Sequence, residues 1–241
     1  MNLIVSDFDG TIKRFDENPN ILKKIDFKKD IKEIDKFIEL GNKFVISTKR
    51  ATSSILTELK KFGVNYSYLT VYEGLVSFDS EGKLLYANYL EKNFINFMTN
   101  LFNSSNLIES IDFYNAYGEK NLSKEEYILI GIKVRNIQTL MIELQKIKKD
   151  IGDLEYSYSF SSKKIWIHKT TNKSIGIKKL LETTKEKDDF SKIITVGDSW
   201  HDISMIKDYN GYCIENGEID IYNPGNIKRT KNIRSLIRTI R

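Results

Sequence analysis

The chain has 241 residues, enough to bury a full core in one large domain or in one domain carrying a smaller insert. Hydrophobic residues make up 40% and charged residues 29%, as expected for a globular protein in water, and the longest apolar runs, such as residues 127–132, fall far short of the roughly 20 residues that a membrane-crossing helix takes. The single cysteine, Cys213, excludes an internal disulfide and a thiolate metal cluster, and reads as a small buried hydrophobe. Met1 leads through Asn2-Leu3-Ile4-Val5 to Asp7 and Asp9, without the basic start and long apolar stretch of a signal peptide, so a cytoplasmic protein is expected. The net charge of +5 is concentrated in residues 228–241, which hold six Lys or Arg and no acid. There Ile233, Leu236, Ile237 and Ile240 recur at helical spacing, predicting a terminal helix with its apolar stripe on the core and its charges in water. No aromatic-rich or base-reading motif accompanies it, so no nucleic-acid partner and no membrane partner is expected.

In chain order, the apolar run over residues 2–6 predicts a buried parallel strand. Ile31, Ile34 and Ile38 share a face of a helix over about residues 28–40, with Gly41 as its stop. Residues 43–47 read as a second strand. Thr52 or Ser53 then caps a helix carrying Ile55, Leu56, Leu59 and Phe62, stopped by Gly63, and a third strand follows near residues 66–71. This rhythm argues for a doubly wound α/β fold, a parallel sheet with helices on both faces.

The rhythm then changes. Apolar runs 75–78 and 84–86 flank Asp79-Ser80-Glu81-Gly82, a hairpin composition. Helical periodicity covers about residues 90–102 and 137–147, with strand-like runs at 111–117, 127–134, 154–160 and 164–168. Such a stretch predicts an inserted α+β unit over residues 74–168, within an α/β core formed by 1–73 and 169–241. From Ser174 the first pattern resumes: a helix to about Thr184, a strand over 192–196, a helix over 203–207 and a short strand at 212–214.

Ligands of a parallel α/β sheet bind beyond the carboxyl ends of its strands. Asp7 and Asp9 follow the first strand, Thr48 the second, and Gly197-Asp198 the strand after the insert, while Lys173 opens a helix. Two carboxylates at two-residue spacing need a counter-cation, and hard oxygen ligands suit Mg²⁺. Taken alone, Asp7-Phe8-Asp9-Gly10 also fits a solvated Asp-Gly turn; Gly10 permits the turn and Thr11 can satisfy freed backbone groups. Asp198 can complete a metal site. Asp202, four residues on, either holds a metal-bound water, orients the loop, or stabilises the first turn of the next helix through its dipole. Lys173 can neutralise an attacking carboxylate together with a phosphoryl oxygen. Thr48 and the amide of Lys49 can each give that group a hydrogen bond.

Asp7-Phe8-Asp9-Gly10-Thr11, Ile46-Ser47-Thr48, Lys173 and Gly197-Asp198 with Asp202 resemble the four ordered motifs of the haloacid dehalogenase (HAD) superfamily. The insert between the second and third motifs resembles its Cof-type branch with the α+β (type IIB) cap. The resemblance covers essentially the whole chain and implies a Rossmann-like core. It implies Asp7 as nucleophile and Asp9 as general acid/base, with Thr48 and Lys173 binding the phosphoryl group. The side chains of Asp7 and Asp198 and the main-chain carbonyl of Asp9 would hold Mg²⁺.

Two residues depart from that pattern: Lys49 separates Thr48 from Arg50 where glycine is usual, and His201 stands where asparagine is usual. The expected activity is hydrolysis of a small phosphorylated metabolite, sugar phosphates first, through an aspartyl-phosphate, with the cap conferring selectivity. Tyr114, Tyr117 and Phe113 of the insert can stack on a sugar or base, or fill strand faces. The rivals are a phosphomutase of the same fold and a catalytically silent binding protein. A phosphorylation-receiving domain would be about half this length, and no Gly-rich phosphate loop supports a kinase. Oligomeric state is open.

Overall fold

A computed structural model describes residues 1–14, 24–103, 108–120, 126–138, 154–222 and 227–240. These divide into two compact units, Met1–Tyr86 with Thr171–Arg241, and Ala87–Thr170. Most of the helix expected over 137–147 lies outside the described residues.

The first unit is built on an eight-stranded sheet of order β12-β11-β10-β1-β2-β3-β4-β5. Its strands are β1 (Asn2–Ser6), β2 (Lys43–Ser47), β3 (Tyr68–Val71), β4 (Val76–Asp79), β5 (Leu84–Ala87), β10 (Lys192–Gly197), β11 (Tyr212–Ile214) and β12 (Lys228–Thr230). The pairs from β12 through β3 are parallel, and β4 joins β3 antiparallel. The expected hairpin therefore forms, but it extends the core sheet. The unit boundary falls after Tyr86 and not near residue 74, because Val76 and Phe78 are buried in register with Val71 and Leu69. β12 and the short helix α6 (Glu218–Tyr222) lack a periodic signature long enough to read in sequence.

Strand alternation sends side chains of β1 to opposite faces. Leu3 and Val5 pack with Ile177, Leu180 and Leu181 of α4 (Lys173–Thr184) and with Met205 and Ile206 of α5 (Ile203–Asp208). Cys213 joins this cluster, fully buried, as its sequence reading anticipates. α1 (Lys24–Glu39) packs against β2 and against the terminal helix α7 (Ile233–Ile240), while α2 (Thr52–Phe62) buries Ile55 and Leu59. Each fully buried Leu or Ile contributes about 1.5–3 kcal/mol of transfer free energy.

The basic terminal helix differs from expectation on its polar side. Ile233, Leu236 and Ile237 are buried, but Arg234 reaches Asp26 at 3.0 Å and Asp30 at 3.8 Å, and Arg238 lies 3.6 Å from Glu33. Arg14 also holds Asp30, at 2.9 Å. Part of the positive excess is thus matched by acids of α1.

The second unit holds a four-stranded antiparallel sheet of order β6-β7-β9-β8, from β6 (Ile108–Tyr114), β7 (Leu129–Val134), β8 (Leu154–Ser159) and β9 (Lys164–Lys169). Ile130 and Ile132 pair with Ile167 and Ile165, and α3 (Lys92–Asn103) adds Ile95 and Met98 to their cluster. Phe113 stacks near Tyr127 at 5.1 Å and Tyr114 near Trp166 at 5.5 Å, so both rings fill strand faces. Tyr117 is exposed.

Candidate active site

β10, β1 and β2 are adjacent and parallel, so their carboxyl ends lie side by side. Asp198, Asp7 and Thr48 each follow one of these ends. The Asp7 amide donates to the Val196 carbonyl at 3.0 Å, prolonging the ladder one residue beyond β1. Asp7 is consequently buried, with 6% of its surface exposed.

Lys173 enters this group from the first turn of α4, whose N-cap Asn172 accepts from the Ile175 amide at 2.9 Å. A cation at a helix N-terminus faces the positive end of the dipole, and Lys173 is only 1% exposed. Its ammonium is therefore held by carboxylates: Nζ donates to Asp7 Oδ1, and to Asp202 Oδ1 at 2.5 Å. Burial by itself would lower the Lys173 pKa, but the combined charge of Asp7 and Asp202 raises it.

Asp202 is fully buried, and its second oxygen accepts from the amides of Asp198 at 3.1 Å and Ser199 at 3.0 Å, and from Ser199 Oγ at 3.1 Å. Of the readings left open by the sequence, loop orientation matches these contacts, and so does support of the next helical turn, since Asp202 and Ser199 form a capping box. Thr11 also differs from expectation: its hydroxyl donates to Asp198 Oδ1 at 3.0 Å, joining the first and fourth motifs across the β1–β10 seam. Gly10, at φ 82°, permits that approach, since a β-carbon there would lie 2.1 Å from Asp198 Oδ2.

Carboxylate oxygens of Asp7, Asp198 and Asp202 all lie within 4.8 Å of one another. Burial, opposed by Lys173 and reinforced by Asp202 and Asp198, pushes Asp7 up to about 8. Burial followed by the charge of Asp202 pushes Asp198 up to about 6. One lysine does not balance three clustered acids, and a hard cation on Asp7 and Asp198 would restore the balance. The donor set, carboxylate oxygens of Asp7 and Asp198, fits a hard cation such as Mg²⁺.

Thr48 is buried, its amide donating to the Thr70 carbonyl at 2.9 Å and its hydroxyl accepting from the Arg50 amide at 3.2 Å. Asp9 is half-exposed and gripped bidentately by Arg50, with Nε to Oδ2 at 2.6 Å and a terminal nitrogen to Oδ1 at 2.7 Å. Sequence reasoning placed Arg50 only as a neighbour of Lys49; its separation from Asp9 by 41 residues hides the pair. Glu73 was missed altogether. Its carboxylate lies 2.9 Å from His201 Nδ1, and nothing in its local composition marks it.

The sequence model of one family, described as haloacid dehalogenase-like hydrolase, matches residues 4–166 and 119–223. The chain belongs to this family. No curated protein matches it in sequence. Among solved structures, one from Thermotoga maritima matches with a TM-score of 0.75 at 16% identity, covering 100% of this chain and 97% of that one. A haloacid dehalogenase-like hydrolase from Bacteroides thetaiotaomicron gives 0.71 at 18% identity, covering 100% and 99%. A HAD subclass IIB sugar phosphatase gives 0.63 at 16% identity, covering 100% and 98%. At these identities the likeness shows the fold: a HAD-type α/β core with an inserted cap. Among the described residues no helix is long and apolar enough to cross a membrane.

Proposed function

We propose that this HAD-like hydrolase is a Mg²⁺-dependent phosphatase that hydrolyses a small phosphorylated metabolite, sugar phosphates first, through an aspartyl-phosphate on Asp7. The observation that carries this reading is the buried cluster in which Lys173 bonds both Asp7 and Asp202 beside Asp198. Asp7 and Asp198, with the Asp9 carbonyl, would hold Mg²⁺. When bound, that ion supplies positive charge that screens the phosphoryl oxygens from the attacking carboxylate.

Phosphoryl transfer rests chiefly on positioning and electrostatic stabilisation. In the first step a carboxylate oxygen of Asp7 bonds to phosphorus as the bond to the ester oxygen breaks. Asp9 gives its proton to the departing alkoxide. In the second step Asp9 takes a proton from water, whose oxygen attacks phosphorus, releasing phosphate and free Asp7. Lys173 and the Thr48 hydroxyl bind the phosphoryl oxygens throughout. The bidentate grip of Arg50 matches the carboxylate that Asp9 becomes between the two steps, and must loosen when Asp9 carries a proton.

A panel of phosphate esters, beginning with p-nitrophenyl phosphate, is assayed for released phosphate with Mg²⁺ and with a chelator. We expect Mg²⁺-dependent release that Asp7→Asn and Asp9→Asn each abolish. Full activity of Asp7→Asn would refute the covalent route, and isomerised sugar phosphate without free phosphate would identify a phosphomutase.

A further inference from the structure

Lys49 and His201, the two departures from the family pattern, lie 152 residues apart in the chain and meet in space, with Lys49 Nζ 3.2 Å from His201 Nε2. An ammonium only donates, so these two contacts assign the neutral ring the tautomer in which Nε2 accepts and Nδ1 carries the hydrogen. That Nδ1–H points to Glu73 Oε1 at 2.9 Å. Ammonium, ring and carboxylate thus form one directed relay across the loops that follow β2, β10 and β3.

The turn carrying Glu73 is strapped to the Lys49 segment on both sides: the Glu73 amide donates to the Thr48 carbonyl at 3.0 Å and the Tyr72 amide to the Arg50 carbonyl at 3.1 Å. Tyr72 and Glu73 both adopt left-handed backbone, at φ 49° and 57°, a conformation that side chains disfavour. Lys49 and His201 are exposed, and exposed polar pairs add little stability. Thr171 Oγ1 also donates to the Glu73 carbonyl at 3.4 Å, so the backbone that presents the Glu73 carboxylate to the ring is fixed from two segments.

We propose that the relay holds the Lys49 ammonium at the rim of the Asp7 site as a receptor for a second anionic group of the substrate. Lys49 adjoins Thr48 and His201 adjoins Asp202, so the receptor sits one residue from the site on two sides. The ammonium has three N–H donors, of which His201 accepts one. Glu73, behind the ring, strengthens Nε2 as an acceptor and fixes the ring's orientation. Lys49 is the binding group, and His201 and Glu73 are positioning residues. The substrate class is then a phosphate monoester bearing a further carboxylate or phosphate, an inference that rests on the phosphatase reading above.

The test compares kcat/KM within matched pairs that differ in one anionic group: 3-phosphoglycerate against glycerol 3-phosphate, 6-phosphogluconate against glucitol 6-phosphate, and fructose 1,6-bisphosphate against fructose 6-phosphate. In at least one pair the wild type is expected to prefer the anionic member tenfold or more. Lys49→Gln should cut that ratio about tenfold, Lys49→Arg should keep it, and His201→Phe and Glu73→Gln should each lower it several-fold. The responding pair tells carboxylate from phosphate as the second group. Ratios near one in every wild-type pair, or a preference that Lys49→Gln leaves intact, would overturn the proposal. If no ester releases phosphate, the phosphatase reading fails on its own. The receptor is then judged, by the same ratios, from calorimetric binding of the same six compounds.

Discussion

Replacing Lys173 with methionine keeps most of the side-chain volume and removes the one ammonium that bonds both Asp7 and Asp202. Those carboxylates are 6% and 0% exposed, so water cannot take over from the ammonium. Removing one member of a buried charge network costs about 3–5 kcal/mol. Asp202 keeps its bonds from two amides and a hydroxyl, which places the expected loss at the lower end, about 3 kcal/mol. For a chain of this size each kcal/mol moves Tm by about 2–4 °C, giving a fall of about 6–12 °C. The assay is thermal unfolding followed by circular dichroism in Mg²⁺-free buffer. Adding Asp202→Asn removes one of the two stranded charges, so the double variant should lose clearly less than the sum of the single losses. A Lys173→Met shift below about 2 °C, or strict additivity, would refute this account of the cluster.

Mg²⁺ at a hundred times its dissociation constant should add about 2.7 kcal/mol, raising Tm by about 5–10 °C; Asp198→Asn should erase most of that rise in the same melt. Gly10→Ala should cost about 1 kcal/mol or more in urea unfolding, because the new β-carbon falls 2.1 Å from Asp198 Oδ2 on left-handed backbone. Arg234→Ala leaves the fully buried Asp30 with Arg14 and should cost about 1–3 kcal/mol without changing kcat. An equal loss for an exposed lysine variant such as Lys29→Ala would refute the pairing.

Short-range pattern made much of this protein legible. Apolar runs and helical spacing placed β1, β2, β10, α1 and α2 within a few residues, because a buried strand and an amphipathic helix each need a local periodicity. The order of Asp7, Thr48, Lys173 and Asp198 along the chain, each at a strand or helix end, was likewise readable, since parallel strands bring such ends to one edge.

Tertiary structure decided what depends on partners distant in sequence. The hairpin at residues 76–87 has the same composition in a core sheet or in an insert, and only its pairing with β3 assigns it to the core. Arg234 looks like a solvated charge until α7 meets Asp26 and Asp30 of α1. Asp202 could serve the loop or the next helix as far as sequence shows, and its bonds serve both, holding the loop amides and closing a capping box with Ser199. Arg50 on Asp9, and Glu73 with Lys49 on His201, carry no local signature, because a hydrogen bond between loops leaves no period in the sequence of either loop.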